Sequence, residues 1–429
     1  MLIKNIKYAI TMNSKDKNNE LGILENIDIL INNKKIQNIG KNIEKSDVKE
    51  IIDGKNLIAV PSFINCHHHL YQTLLRGIGA DLTLQEWLKK RKSLLNSYTP
   101  RLRYLSVILA LLESIDNGVT TVFEFASNNN LESVEYTLNA VEDLSIKVIL
   151  GYTPPRDNLE DISRIKDKYL KNNIIGGLYL TPLPIPPNYK DKEEVNYFKR
   201  GIELAKKHKL GVTTHLLENE KEIKTNPVEV LKECGAFEND LDLIVAHGVH
   251  CDEEHIKLLS KHNVKVVYNP LSNMRLASGV MPYPLYKKHN VLIGLGTDGS
   301  VHDSGNFFET MKAGLGLQRA YYKNTQACTI NDILKMVTVD GAKILNLSKT
   351  TGSIKEGKLA NINLIDVRAL NISPVNDPAA QVVLNASPKN IIYVIYNGKI
   401  IKDKNGVIFK SKDKLLEEFN YLHDQVLRR

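Results

Sequence analysis

The chain has 429 residues, a quarter of them charged, and a mean hydropathy of −0.24, which describes an ordinary soluble globular protein long enough for one barrel-sized domain plus a smaller one. Its net charge of +8 comes from lysines scattered among Asp and Glu, a solvated surface that gives no reason to expect a nucleic-acid partner. No run approaches the roughly 20 apolar residues that span a bilayer, the best being Tyr104 to Leu112, and the amino terminus lacks a signal-peptide core, so neither a membrane nor export is expected and the cytoplasm is the expected location.

The first sixty residues read as short strands separated by Asn, Gly and Lys turns: Leu2 to Thr11, Ile27 to Ile31, Ile36 to Ile39 and Glu50 to Asp53. The middle alternates. Strand candidates are Ala59 to Asn65, Val119 to Phe125, Lys147 to Gly151, Gly176 to Thr181, Leu210 to His215, Leu243 to His247, Val264 to Tyr268 and Val291 to Asp298. Between them lie segments of helical period, such as Arg101 to Asn117, Val195 to His208, Asp252 to His262 and Phe307 to Tyr321. Eight strand–helix alternations predict a (β/α)8 TIM barrel. The tail returns to strands at Asn361 to Asp366 and Ile391 to Ile395, with a turn at Asn397-Gly398. The expected α/β organisation is therefore a barrel over 59–360, inserted into a small β-sandwich domain built from 1–58 and 361–429.

The chemistry-bearing residues sit at strand ends. His67 and His69 follow a β-branched, apolar run, and residues i and i+2 of a strand share a side, so both can reach one ion. Imidazole is the commonest biological metal ligand, and a hydrolytic site has about three protein ligands plus an open position. Later strands end in His215, with Glu218 three residues on, in His247, and in Thr297-Asp298. Four metal-competent endings describe the carboxyl rim of a parallel barrel, where barrel enzymes place their chemistry. His208, His255, His262 and His289 are expected to be surface or capping residues. His68 and His250 are expected to pack or to hydrogen-bond behind the site. Cys66, Cys234, Cys251 and Cys328 are far apart with no C-x-x-C spacing, which argues against a disulfide framework or structural zinc knuckle. Alternation aims Cys66 away from the side used by His67, as a small packed residue.

With His67-His68-His69, His215-x-x-Glu218, His247 and Thr297-Asp298-Gly299 in this order, the chain resembles the amidohydrolase superfamily over nearly its whole length. The segments His69 to Gly77 with Glu86-Trp87-Leu88, and Asn269 to Gly279, look like its heterocycle aminohydrolase branch, which holds 8-oxoguanine deaminase, methylthioadenosine/S-adenosylhomocysteine deaminase and the s-triazine hydrolases. The resemblance implies one divalent ion per chain, zinc with iron as the alternative, held by His67, His69, His215 and Asp298. Binuclear relatives carry a lysine on the fourth strand, and Ile174 to Leu180 has none. Asn361 stands where the family usually has Asp.

Such an ion lowers its water's pKa from about 15.7 to near 7. Asp298 is suited to ligate and to take the water's proton, and Glu218, free of the metal in the family pattern, to protonate a ring nitrogen and so make the adjacent carbon electrophilic. His247 would bond the oxygen or leaving group. Tyr71, Gln72 and Trp87 are expected to line the pocket, Trp87 stacking on a planar ring and Gln72 reading its edge. Arg275, Ser272 and His302 are further candidates for substrate contact.

The expected activity is hydrolytic deamination, with ammonia released from a purine, pterin or triazine-like free base. Nucleoside deaminases of the branch tend to carry a glutamate where this chain has Asn96, and a histidine motif where it has Thr181-Pro182-Leu183-Pro184. The loop Gly299 to Asn306 is one residue shorter than in base and triazine enzymes, putting His302 near the usual Asn. Alternatives are a nucleoside deaminase of the methylthioadenosine/S-adenosylhomocysteine type, a triazine-type hydrolase displacing chloride or alkylamine, and a non-catalytic scaffold, though no ligand is lost. The H-x-E and P-C-x-x-C signature of the other zinc deaminases is absent. The expected partners are a small heterocyclic substrate and a second copy of the chain in a homodimer.

Overall fold

The computed structural model describes residues 1–44, 48–126, 131–144, 146–154, 161–182, 191–238, 241–299 and 305–427. The amino-terminal end supplies β1 (Leu2–Ile10), β2 (Ile23–Asn32), β3 (Lys35–Gly40), β4 (Ile51–Asp53) and β5 (Leu57–Pro61) to one sheet. The chain then enters a second, wholly parallel sheet: β6 (Phe63–His69), β7 (Val119–Ala126), β8 (Lys147–Tyr152), β9 (Gly177–Leu180), β10 (Gly211–Leu216), β11 (Leu243–His247), β12 (Lys265–Tyr268), β13 (Ile293–Leu295) and β14 (Asp298–Gly299). It returns to the first sheet with β15 (Ile362–Asp366), β16 (Ile391–Tyr396), β17 (Lys399–Asp403) and β18 (Gly406–Val407). Both termini thus build one β-rich domain, sewn together where β5 pairs with β1 and with β15.

The parallel strands follow one another from β6 to β13, and β14 pairs with β6. β13 and β14 are halves of one interrupted eighth strand. Gly296 N–H donates to Tyr268 O at 2.9 Å and Thr297 N–H to His67 O at 3.1 Å, which bridges β12 to β6 and closes the barrel. No side chain fits at this seam. A Cβ on Gly296 would meet His67 Cβ at 2.9 Å and His67 O at 3.0 Å, and would collide with Asn269 Oδ1. Gly296→Ala is expected to lower the unfolding free energy by about 1–3 kcal/mol, as overpacked cores do, and to reduce metal content. A denaturant midpoint equal to that of the parent chain would refute this account of the seam.

Ile64 and Cys66 of β6, Phe123 of β7, Ile149 of β8, Tyr179 of β9, Ile244 of β11 and Val267 of β12 form one buried cluster with Ala342 and Ile344. A cluster drawing on six strands is the barrel interior, and helix Val339–Ile344 closes its amino-terminal end. Two expectations are corrected. Residues 59–61, read as the head of the first barrel strand, belong to β5 of the terminal sheet. Cys66 faces the interior although His67 does too, because the register against β7 shifts between Asn65 and His68 and this bulge breaks the alternation. Cys66 remains a packed residue, its thiol pushed up by burial.

Helices Leu84–Asn96, Pro100–Asp116, Lys192–His208 and Phe307–Tyr322 begin on Thr83, Thr99, Asp191 and Asn306, whose side chains accept backbone N–H groups of the first turn. A helix over Lys412–Leu427 was not anticipated from the sequence. It packs Phe419 and Leu422 against the cluster of Leu74, Leu75, Trp87, Tyr98 and Leu102, and Glu418 accepts two bonds from Arg101. No helix among the described residues is long and apolar enough to cross a membrane.

Candidate metal centre and active site

The site grows from the end of β6. Asn65 fastens that strand to the closing seam: its Nδ2 donates to Thr297 Oγ1 at 2.7 Å and its Oδ1 accepts Thr297 N–H at 3.2 Å. His68 adds a second clip, its Nδ1 donating to the Asp298 carbonyl at 2.5 Å. Just beyond, Glu124 accepts Leu70 N–H at 2.7 Å, and burial pushes its carboxyl up to about 8. His67 and His69 are thereby held with both Nε2 atoms against one oxygen, Asp298 Oδ1, at 3.2 and 3.1 Å. Ser272 donates to the other oxygen, Oδ2, at 2.5 Å.

His215 at the end of β10 and His247 at the end of β11 complete the centre. The ligand atoms of His67, His215, His247 and Asp298 lie within 4.8 Å of one another, and the Phe125 ring lies between 4.5 and 5.2 Å from the rings of His67, His69 and His215. Glu218 is buried, with Oε2 at 3.8 Å from His247 Nε2. Its turn is held from behind by Glu222, which accepts Glu218 N–H at 3.1 Å and Asn219 Nδ2 at 2.6 Å. Leu217, His247 and Asp298 all adopt left-handed backbone, with φ of 47, 76 and 59°. Each such conformation costs on the order of 1–3 kcal/mol, and strain concentrated at three strand ends marks a constrained site.

The donor set fits a cation. His69 Nδ1 lies 2.8 Å from the Phe125 carbonyl, which can only accept, so a ring proton is there and Nε2 is the nitrogen turned to Asp298 Oδ1. His67 Nε2 is buried without a hydrogen bond. Burial holds His67 and His215 below the ordinary imidazole range, which favours their neutral forms, and His67 Nε2 faces the Asp298 carboxylate. A positive ion among these donors would satisfy both the imidazoles and the carboxylate. His247 differs from the others, because Asn273 Nδ2 donates to its Nδ1 at 2.9 Å, which leaves the proton on Nε2. That nitrogen faces Glu218 as a donor.

Burial also pushes His68 down to about 4 from an ordinary 6.5, and His247 down to about 3. Between the folded and unfolded pKa values the unfolded chain binds more protons, so stability rises with pH across about 4 to 6.5 and is lost as pH falls through that window. His68 alone accounts for about 3 kcal/mol. The chelated protein is expected to melt at steeply lower temperature as pH drops from 6.5 to 4. Constant thermal stability over that range would show that these rings are not buried as neutral groups.

Tyr71 and Gln72 lie next to the centre, Tyr71 with its ring 5.9 Å from that of His69 and Gln72 with its amide against Gly299. Trp87 was expected to stack on a substrate ring. It is buried in the apolar cluster of Leu74, Tyr98 and Leu102. Arg275 ends helix Pro270–Arg275 with its side chain exposed, whereas Ser272 and Asn273 of the same helix reach the site. His302 lies outside the described residues. His255 caps its helix through Asp252, His289 pairs with Glu253 at 2.8 Å, and His250 Nε2 lies 2.7 Å from the Ser278 carbonyl. The sequence reading missed Phe125, Glu222, Asn269 and Asn273. The i, i+4 spacing of the two asparagines was the available signal, since it sets both on one helical face.

Comparison with known proteins gives the same picture from outside. Residues 58–401 match the model of the amidohydrolase family. A 5'-deoxyadenosine deaminase of Methanosphaera stadtmanae is 32% identical over 410 residues, covering 91% of this chain and 93% of that protein. A 5-methylthioadenosine/S-adenosylhomocysteine deaminase of Halothermothrix orenii is 29% identical and covers 100% of this chain and 99% of that one. Among solved structures, a zinc-bound adenosine deaminase from Xanthomonas campestris superposes with a TM-score of 0.88 at 21% identity, over 100% of this chain and 98% of that one. A barrel whose strand ends converge on one buried cation site, matched along four-fifths of its length by a single family model, leaves one assignment: the chain belongs to the amidohydrolase family.

Proposed function

We propose that this chain is a metal-dependent hydrolytic deaminase of an amino-substituted aromatic heterocycle of purine or pterin type. It is a hydrolase acting on C–N bonds, as its family membership and deaminase-named relatives have it. The observation that carries the substrate reading is the pairing of a buried carboxyl, Glu218, with a donor nitrogen, His247 Nε2, 3.8 Å apart at the edge of the cation site. An acid beside a hydrogen-bond donor is what protonating a ring nitrogen and receiving a departing amine require.

A divalent ion held by His67, His69, His215 and Asp298 would supply Lewis-acid activation of a water at neutral pH. The chain's own residues do the rest. Burial, with the charges of Asp298 and Glu222 adding to it, raises the Glu218 carboxyl well above the usual range, so the group holds a proton to hand to the ring nitrogen. Glu222, by gripping Glu218 N–H, keeps that carboxyl from swinging away. Ser272 fixes Oδ2 of Asp298, leaving Oδ1 to accept the proton of the attacking water. His247, its tautomer set by Asn273, donates from Nε2 to the oxygen or amine of the tetrahedral centre. Phe125 and the buried strand ends exclude bulk water, which strengthens each of these interactions.

Zinc is supported by the mixed nitrogen and oxygen donor set and by the zinc of the Xanthomonas neighbour. A cytoplasmic location is supported by four buried, unpaired cysteines. A homodimer, and a catalytic unit inserted between two pieces of a terminal domain, rest on the resemblance. The reading is tested by ammonia release from the metal-loaded protein across amino-purines, oxidised guanine, pterins, adenosine and 5'-deoxyadenosine, with Glu218→Gln as control. Release from free bases, lost in the control, establishes the free-base form; release confined to nucleosides moves the substrate to the class named by the relatives. No ammonia from any of them, with one ion bound per chain, would refute the deaminase reading.

A further inference from the structure

The segment that follows β6 carries an excess of positive charge next to the site. Residues 76–103 hold seven Lys or Arg against two acids, and Lys89, Lys90, Arg91 and Lys92 follow one another on helix Leu84–Asn96. Arg76 is paired with Glu113 and Arg101 with Glu418. Arg91 and Arg103, both partly buried, have no carboxylate partner among the described residues. Arg91 Nη1 donates to Tyr71 OH at 2.9 Å, and its Nε is buried with no acceptor. Arg103 Nη2 donates to the Leu95 carbonyl at 2.5 Å, and burial depresses its pKa.

A hydrogen-bonded arc links this charge to the reaction centre. The Tyr71 hydroxyl also accepts from Gln72 Nε2 at 3.2 Å, and the Gln72 amide lies against Gly299, next to Asp298. The Tyr71 ring stands 5.9 Å from that of His69. Arg91 is therefore one tyrosine side chain away from a residue of the cation site. A guanidinium partly withdrawn from water with an unmet donor is unfavourable until an acceptor arrives, and its planar fork fits a carboxylate or phosphate two bonds at a time. The exposed lysines of the same helix add positive charge beside it.

We propose that the substrate carries an anionic substituent, a carboxylate or a phosphate, bound by Arg91. The inference rests on the deaminase reading for the identity of the ring, and its test is by binding, so the two can fail separately. Metal-loaded Glu218→Gln protein, with Arg91 intact or replaced, is titrated calorimetrically with two probe pairs: pterin against pterin-6-carboxylate, and adenosine against adenosine 5'-monophosphate. The anionic member of one pair is expected to bind roughly ten-fold or more tightly than its neutral partner, the worth of one charged hydrogen-bond pair. The pair that shows the preference distinguishes carboxylate from phosphate. Arg91→Gln should bring the preference to within about two-fold, Arg91→Lys should retain part of it, and high salt should weaken it. Equal binding within both pairs, failure of both anionic probes to bind, or a preference untouched in a folded Arg91→Gln protein would overturn the proposal. Anion-dependent binding without ammonia release by the parent chain would sink the deaminase reading and leave this site standing.

Discussion

Glu218→Gln is expected to lower kcat by about 10³-fold while the purified protein keeps one metal ion per chain and its melting temperature. The amide is isosteric, so packing against the buried turn persists and Glu222 still grips the backbone N–H of residue 218. What disappears is a group able to give up a proton and take it back. The carboxyl faces His247 Nε2 at 3.8 Å rather than the Asp298 oxygen against which His67 and His69 are held, so its loss should spare the ion. Single-turnover rates together with metal analysis decide the matter. Loss of the ion along with the rate would make Glu218 a ligand, and a rate within ten-fold of the parent would remove it from the chemistry. Glu222→Ala is expected to lower kcat less, by freeing the turn that includes left-handed Leu217.

The second large effect concerns which imidazoles hold the ion. His67→Ala and His69→Ala are expected to leave the chain with less than half the parent's metal content and no measurable turnover, whereas His247→Ala should keep the ion and lose rate. The argument is one of tautomers. The Phe125 carbonyl forces the His69 proton onto Nδ1, and the Asn273 amide leaves the His247 proton on Nε2. Removing the ion from the parent protein with a chelator should lower the melting temperature, since a ligand present at a hundred times its Kd stabilises the native state by about 2.7 kcal/mol. Metal analysis of the three variants is the measurement. Retention of the ion by His69→Ala and its loss from His247→Ala would exchange the two roles.

Much of the architecture was legible from local pattern. Apolar, β-branched runs ending in His69, His215, His247 and Asp298 announce buried strands whose last residues face a shared rim, because period-two alternation and burial act over a few neighbouring residues. The alternation with helices dictates a parallel barrel, and two β-rich ends with no core of their own must combine. The order of strands and the residues at the centre were therefore properties of the chain itself.

Other features depended on contacts between residues remote in sequence. The bulge that turns both Cys66 and His67 inward exists because β6 must pair with β7 and with the closing seam at once. Trp87 is buried because helix Lys412–Leu427, more than three hundred residues later, completes its cluster. The proton on His247 is placed by Asn273, the setting of Glu218 by a turn that Glu222 closes, and the unpaired state of Arg91 by the absence of any acid within reach among the described residues. Sequence determined which side chains arrive at the rim. Tertiary structure decided their tautomers, protonation and partners, because hydrogen bonds and desolvation depend on which remote atoms surround a group.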